Sequence, residues 1–403
     1  MKTLITTIFF TSLTTLAIAQ KDTFPDTPEN SKFSVRSEKD STQNMPAQFS
    51  FFYPLGSNGI KSPQIENNFS LNALYGINGG VEGAEIGGLV NINQGTVNGI
   101  QIGGIANITT QSTNGTVIGG IANIVADSAK GILIAGISNV VGDSSAGFQI
   151  AGISNTVNGT FDGGQIAGIG NLNNGQVDGF QLAGISNVTN GNVNGVQLSG
   201  IANIVNGETT GAQIGFINFS NRVNGVQLGF INVSGESEHV IPVGFLSLVK
   251  NGYHSLEFST NETFYGNMAV KLGVEKFYSS FRFGIGSDKG DSYLSYGYGL
   301  GTLISFNEKN KLGLELSANH IVSDFWNNWE LDLLNRFEIT YQRSLGKHFT
   351  VFGGPALNVY VTQTFNDGEY GTIHVPYTMY SEDWWDGNTS MWIGFHAGAA
   401  IRF

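Results

Sequence analysis

The chain contains no cysteine, so no disulfide braces it and no thiol can ligate a metal. The same absence removes the cysteine that would carry a lipid after a lipoprotein signal. Proline is scarce, at 8 of 403 residues, and charged residues make up only 12%. The formal net charge of −12 argues against nucleic acid as a partner, because phosphate binding needs a basic face. What is abundant is glycine, at 56 residues, together with asparagine, threonine and β-branched residues. That balance favours an all-β chain over helix or disorder.

Residues 1–19 have the pattern of a secretory signal peptide: Lys2, an apolar stretch Leu4–Leu16, and the small-x-small site Ala17-Ile18-Ala19. The apolar stretch is too short for a membrane-spanning helix and is broken by threonines. Cleavage is expected before Gln20. Residues 20–48 are polar and dotted with proline, as a flexible leader would be. Residues 49–82 are expected to form an N-terminal cap, opened by the abruptly aromatic Phe49–Leu55 and containing a degenerate first repeat at Phe69–Ile77.

Residues 83–249 repeat one phrase, seen as GIQIGGIAN at 99–107, GFQIAGISN at 147–155 and GFQLAGISN at 179–187. Lead glycines recur every sixteen residues from Gly83 to Gly211, and a shorter step leads to Gly225. Counting the lead glycine as column zero, column three is Ile or Leu, from Ile86 and Ile102 through Leu228. Column five is glycine, as in Gly88, Gly104 and Gly120; column six runs from Leu89 and Ile105 to Ile217; column eight is asparagine from Asn91 to Asn203. Asn218 and Asn232 arrive one column early.

A fixed short period means one unit stacked on itself. The pattern predicts a β-solenoid of about ten coils, about 48 Å long at the cross-β spacing. The Ile columns are expected to form its apolar core and the Asn column an amide ladder. The column-five glycines suit a corner that needs positive φ or close backbone approach. The rival arrangement is an antiparallel meander with two strands per repeat.

From residue 250 the composition turns aromatic and alternation becomes strict. In the last stretch Met391, Ile393, Phe395, Ala397, Ala399, Ile401 and Phe403 alternate with small or polar residues. The same holds around Phe264–Glu275, Leu294–Phe306, Lys311–Val322 and Arg336–Leu345. Eight strands are predicted, at about 253–260, 262–275, 277–287, 292–306, 310–323, 333–345, 348–363 and 390–403. Short turns alternate with longer loops, the pattern of an eight-stranded antiparallel transmembrane β-barrel. Glu257, Lys271, Arg282, Glu315, Arg336, Glu338 and Arg402 then form a paired, filled lumen. The alternative is a soluble barrel with its aromatic faces inside. With an even strand number both barrel termini lie in the periplasm.

The phrase GxQ[IL]xGI[AS]N, the segment FSFFYPLGSNG at 49–59 and the exit VGFLSLVKNGYHSLEFS at 243–259 resemble the bacterial surface repeat-containing proteins of Bacteroidetes and spirochaetes. The resemblance covers about residues 49–280. It implies a cell-envelope address and brings no activity, catalytic residues or ligand. A surface placement conflicts with a solenoid hung from periplasmic barrel termini.

No catalytic constellation is evident. The six histidines, His239, His254, His320, His348, His374 and His396, form no metal-binding spacing, and no cofactor motif occurs. Asp162 and Asp178 share a repeat column but have no basic companion. A polysaccharide-active solenoid enzyme is the least favoured alternative. Two aromatic loops are the candidate contacts for a protein or glycan partner: Trp326 and Trp329 between strands five and six, and Tyr377, Trp384 and Trp385 between strands seven and eight. Aromatic packing at the membrane interface would explain them equally. The expected function is a non-enzymatic outer-membrane protein in contact with lipid, its barrel anchoring a repeat solenoid that meets an envelope or external partner. Small-solute uptake through the barrel is the alternative.

Overall fold

The computed structural model describes residues 43–236, 239–288, 291–323, 330–366, 368–373, 375 and 377–403. The expected signal peptide and most of the expected leader lie outside the described residues. The chain is all-β, a solenoid of about 11 turns followed by a closed eight-stranded antiparallel barrel.

Each typical coil contributes a seven-residue strand and a four-residue strand, such as Val97–Gly103 and Ala106–Thr109. Successive coils pair in parallel and in register, with Gly99 between Gly83 and Gly115 and Asn107 between Asn91 and Asn123. That pairing excludes the antiparallel meander. The two roles expected of the column-five glycines fall differently on the two glycine columns. Positive φ belongs to the lead glycines, from 112° at Gly131 to 148° at Gly225. Close approach belongs to both columns: a Cβ on Gly99 would lie 2.0 Å from the carbonyl oxygen of Gly83, and one on Gly104 would lie 2.0 Å from that of Gly88.

The solenoid starts earlier than expected. Gln43–Phe52 is already a strand, paired in parallel with Ile65–Asn78, so residues 43–48 belong to the stack and not to a leader. Phe49, Phe51 and Leu55 are exposed, so this aromatic stretch forms the outside of a first coil.

The expectation of an isoleucine core is overturned. Ile102, Ile150, Ile121 and Ile153 each expose about two-fifths of their surface, and the columns they represent face outward. Inside lie Asn107, Asn139 and Asn187 of column eight and Gln101, Gln165 and Gln197 of column two, all buried. A narrow apolar seam of residues such as Val117, Leu133, Val141 and Phe161 runs beside them. The reason is local: Ile100-Gln101-Ile102-Gly103 is a strand, so glutamine and isoleucine must point opposite ways. Amides stacked in register satisfy one another and can therefore be buried without loss.

The early asparagines keep their ladder because the corner loses one residue. Ile217 pairs with Ala202, so Phe216, and not Ile217, takes column six. Asn203 Nδ2 still donates to Asn218 Oδ1 at 2.9 Å, and Asn218 to Asn232 at 3.0 Å.

The barrel strands are Tyr253–Asn261, Gly266–Val274, Phe277–Asp288, Asp291–Ser305, Asn310–Val322, Asp332–Ser344, Phe349–Thr362 and Gly387–Arg402. The first and last pair antiparallel, Leu256 against Ile401, and close the wall. Above the end of the first strand, Tyr380–Trp384 pairs with the top of the last one. Leu300, Ile304, Phe337, Ile339 and Ile393 face outward. Phe264, expected on that outward face, is instead buried against Tyr293, at a ring separation of 5.8 Å. It lies just before the second strand begins and so outside its alternation.

The last coil, His239–Val243 and Leu246–Val249, packs on the outside of barrel strands two and three. Val274 packs against the solenoid's Val223, Val240 and Val249. The Phe245 ring stacks on Tyr298 at 4.6 Å and meets Phe281 edge-on at 5.4 Å. Tyr298 Oη donates to Gly244 O at 3.2 Å.

Candidate functional site

Trp326 and Trp329 lie outside the described residues. The other three aromatic candidates are not brought together: Trp384 and Trp385 lie at the tip of the hairpin before the last barrel strand, whereas Tyr377 reaches Ile393 further down that strand. Trp384 is half-buried, donates from Nε1 to Thr389 Oγ1 at 3.2 Å, and covers Gly387, where a Cβ would lie 2.5 Å from its ring. Its role is to hold the hairpin. Trp385, at the tip, is fully exposed. Tyr377 is exposed and donates its hydroxyl to Ile393 O. Met379 and Tyr380 are also exposed, and Tyr380 Oη bonds to Glu382. The tip thus presents the exposed ring of Trp385, edged by Glu382, Asp383 and Asp386, with Tyr380, Met379 and Tyr377 exposed lower down the hairpin. Such a tip can stack on a sugar ring or anchor a protein partner.

Below it the lumen is filled. Trp392, Tyr360, Phe264 and Tyr293 form a buried cluster at the loop end, joined by Ile373 from the loop. At mid-height six buried charges alternate in sign across the lumen. Glu257 pairs with Lys271 at 2.7 Å, Lys271 with Glu315 at 2.7 Å, and Glu315 with Arg282 at 2.7 Å. Arg282 then grips Glu338 with two nitrogens, at 2.8 and 2.9 Å, and Glu338 meets Arg336 at 3.3 Å. Three positive and three negative groups leave this chain neutral. It ties the first strand to the sixth through the space a channel would need. At the short-turn end Tyr253, Tyr278 and Leu303 pack together. Arg402 is half-buried beside Glu275, at 3.6 Å.

The solenoid interior holds two amide ladders, of which only the asparagine one was foreseen. Asn91 Nδ2 donates to Asn107 Oδ1 at 2.9 Å, and the same bond repeats to Asn203. The glutamine ladder donates the other way: Gln165 Nε2 to Gln149 Oε1 at 3.0 Å, then Gln181, Gln197, Gln213 and Gln227 each to the coil before. Its signal was the glutamine two residues after most lead glycines. At the N-terminal end of the glutamine column stands Glu85. It is fully buried and accepts from Asn72 at 3.0 Å, Asn78 at 2.5 Å, Asn93 at 2.6 Å and Gln101 at 2.9 Å. Burial pushes its carboxyl up to about 7, against those amide donors, which favour the anion.

Among the described residues no group of three or more His, Asp or Glu is placed to hold a metal. His396 sits in the lumen, 3.4 Å from Glu338, while His254 and His348 meet backbone carbonyls. Asp162 and Asp178 are adjacent in register, and Asp178 accepts from Gln176 at 2.8 Å. The site thus defines a class: a closed, filled β-barrel carrying a parallel β-solenoid, a fold consistent with an outer-membrane protein. No protein-family model matches the chain, and no curated protein or solved structure is significantly similar to it.

Proposed function

We propose that the protein is a non-enzymatic outer-membrane protein of bacteria, in which a plugged barrel anchors a rigid solenoid and presents an aromatic tip to a protein or glycan partner. The observation that carries this reading is the barrel's inversion: apolar side chains face outward while a neutral chain of six buried charges fills the lumen. An apolar outer band is what hydrocarbon requires of a barrel. Aromatics edge that band, with Phe306, Phe349 and Phe403 at the short-turn end and Tyr265 and Tyr296 towards the loops, as in an interfacial girdle. A lumen crossed by ion pairs favours an anchor over a channel or uptake path.

The test is carbonate extraction of cell envelopes, followed by single-channel recording of the reconstituted protein. Retention in the outer-membrane pellet without conductance is expected. Recovery as a soluble periplasmic protein would end the membrane assignment, and a steady conductance would replace the anchor with a transporter.

A further inference from the structure

The solenoid carries a stripe that the proposed function does not use. Columns one, three and six face outward, and over the eleven coils from Gly83 to Leu248 they contain no charged residue. Phe148, Ile137 and Leu228 are representative, with 49%, 43% and 47% of their surface exposed. Column nine, half-exposed in most coils, extends the stripe round the corner. Charges lie at the edge away from column six, between each short strand and the next lead glycine: Asp127 and Asp143 in the turn, and Lys130, Asp162 and Asp178 in the first residues of the long strand. The rod is therefore amphipathic along its whole length. At about 4.8 Å per coil the stripe runs about 50 Å, longer than the apolar patches of soluble monomers.

One observation says what covers it. Column six ends in a ring stack, Phe216 on Phe230 at 5.0 Å and Phe230 on Phe245 at 4.8 Å. Phe245 then packs on Phe281 and Tyr298, both on the outward wall of the barrel, next to the exposed Phe283, Tyr296 and Leu300. The stripe and the barrel's outward band are one continuous apolar surface. Resting on the membrane assignment above, we infer that the stripe is a lipid-binding surface. The solenoid lies along the leaflet on the short-turn side of the barrel, its Ile and Phe columns among acyl chains and its charged turns in water. A stripe of about 50 Å exceeds the roughly 30 Å of hydrocarbon, so it fits along a leaflet and not across one. Apolar on one side and charged on the other is the design of interfacial elements. It also explains why amides, and not isoleucines, fill the interior.

The natural absence of cysteine makes the test direct. Single variants Ile153→Cys in the stripe, Lys130→Cys on the charged edge and Ile339→Cys on the outward barrel wall are labelled with an environment-sensitive fluorophore. Each full-length protein is reconstituted into phosphatidylethanolamine–phosphatidylglycerol vesicles with and without acyl-chain doxyl lipids. Labels at 153 and 339 are expected to lose most of their emission to the doxyl lipids, and the label at 130 to keep it and respond to aqueous iodide. Quenching at 339 with only iodide quenching at 153 would overturn the inference and leave the membrane assignment standing. Shielding at 153 from both quenchers would overturn it in favour of a second copy of the chain. A label at 339 that no doxyl lipid quenches would remove the membrane assignment and this inference together.

Discussion

The solenoid and the barrel both turn apolar side chains outward, yet they fill their interiors with different chemistry. The solenoid uses neutral amides; the barrel uses ion pairs. The difference follows from strand direction. In a parallel, in-register stack every residue lies about 4.8 Å from its own copy, so a column of one charge would repel itself. An amide carries donor and acceptor together, so identical copies satisfy one another. In the antiparallel barrel, lumen positions meet unlike residues from several strands, and opposite charges can alternate. Among the described residues of the solenoid the one buried carboxylate is Glu85; it caps Gln101, which Val117 and Leu133 separate from the continuous glutamine ladder, and it has no buried charged copy beside it.

The sharpest way to break this comparison is to put charge into the ladder. Asn139→Asp and Asn155→Asp should each cost several kcal/mol, and the double variant should cost more than their sum. Urea unfolding of the solenoid, followed by hydrogen exchange of its coils, measures this, and simple additivity would refute the like-charge explanation. Next in size is the lumen. Lys271→Met strands Glu257 and should destabilise the barrel by about 3–5 kcal/mol, whereas adding Glu257→Leu should restore most of the loss. Denaturant titration of the reconstituted barrel reads both; a double variant as weak as the single would show that the pair does not act as a unit.

A smaller effect separates the two backbones. Gly152→Ala places a Cβ 2.1 Å from Gly136 O and should cost about 1–3 kcal/mol, because the coils must part. Gly353→Ala in the barrel wall meets nothing nearer than 3.4 Å and should be tolerated. Thermal melts of the two variants compare them. A last effect is one of pH. Glu85 is raised from 4.5 to about 7, so the folded solenoid holds a proton that the unfolded chain releases in that window. Stability is therefore full below pH 4.5, falls as pH rises through 7, and levels off above it. Glu85→Gln should flatten that slope, and an unchanged slope would assign it to another group.

Much of this was legible in the residues. The barrel strands were visible because one face repeats every second position over a dozen residues, and Glu257, Lys271, Arg282 and Glu338 marked the other face. The asparagine ladder was visible because only self-complementary stacking explains an invariant column. The side on which Ile102 would lie was not legible. Alternation states that Ile102 and Gln101 point apart, and the usual rule buries isoleucine. That rule assumes water outside, and the choice of solvent is not written in a period. Nor could spacing separate Trp384 from Trp385, since neighbouring strand residues differ only in which face they meet.

The opposed directions of the two ladders have a consequence for length. A column of aligned amides builds an axial dipole that grows with every unit added. Here the asparagine column points its N–H groups towards the C-terminal coils and the glutamine column points its own towards the N-terminal ones. Their fields oppose, so where both columns run together most of the dipole along the rod cancels. Coils can then be gained or lost by tandem duplication without accumulating an electrostatic penalty, and the reach of the rod becomes a quantity that evolution can tune in steps of one repeat.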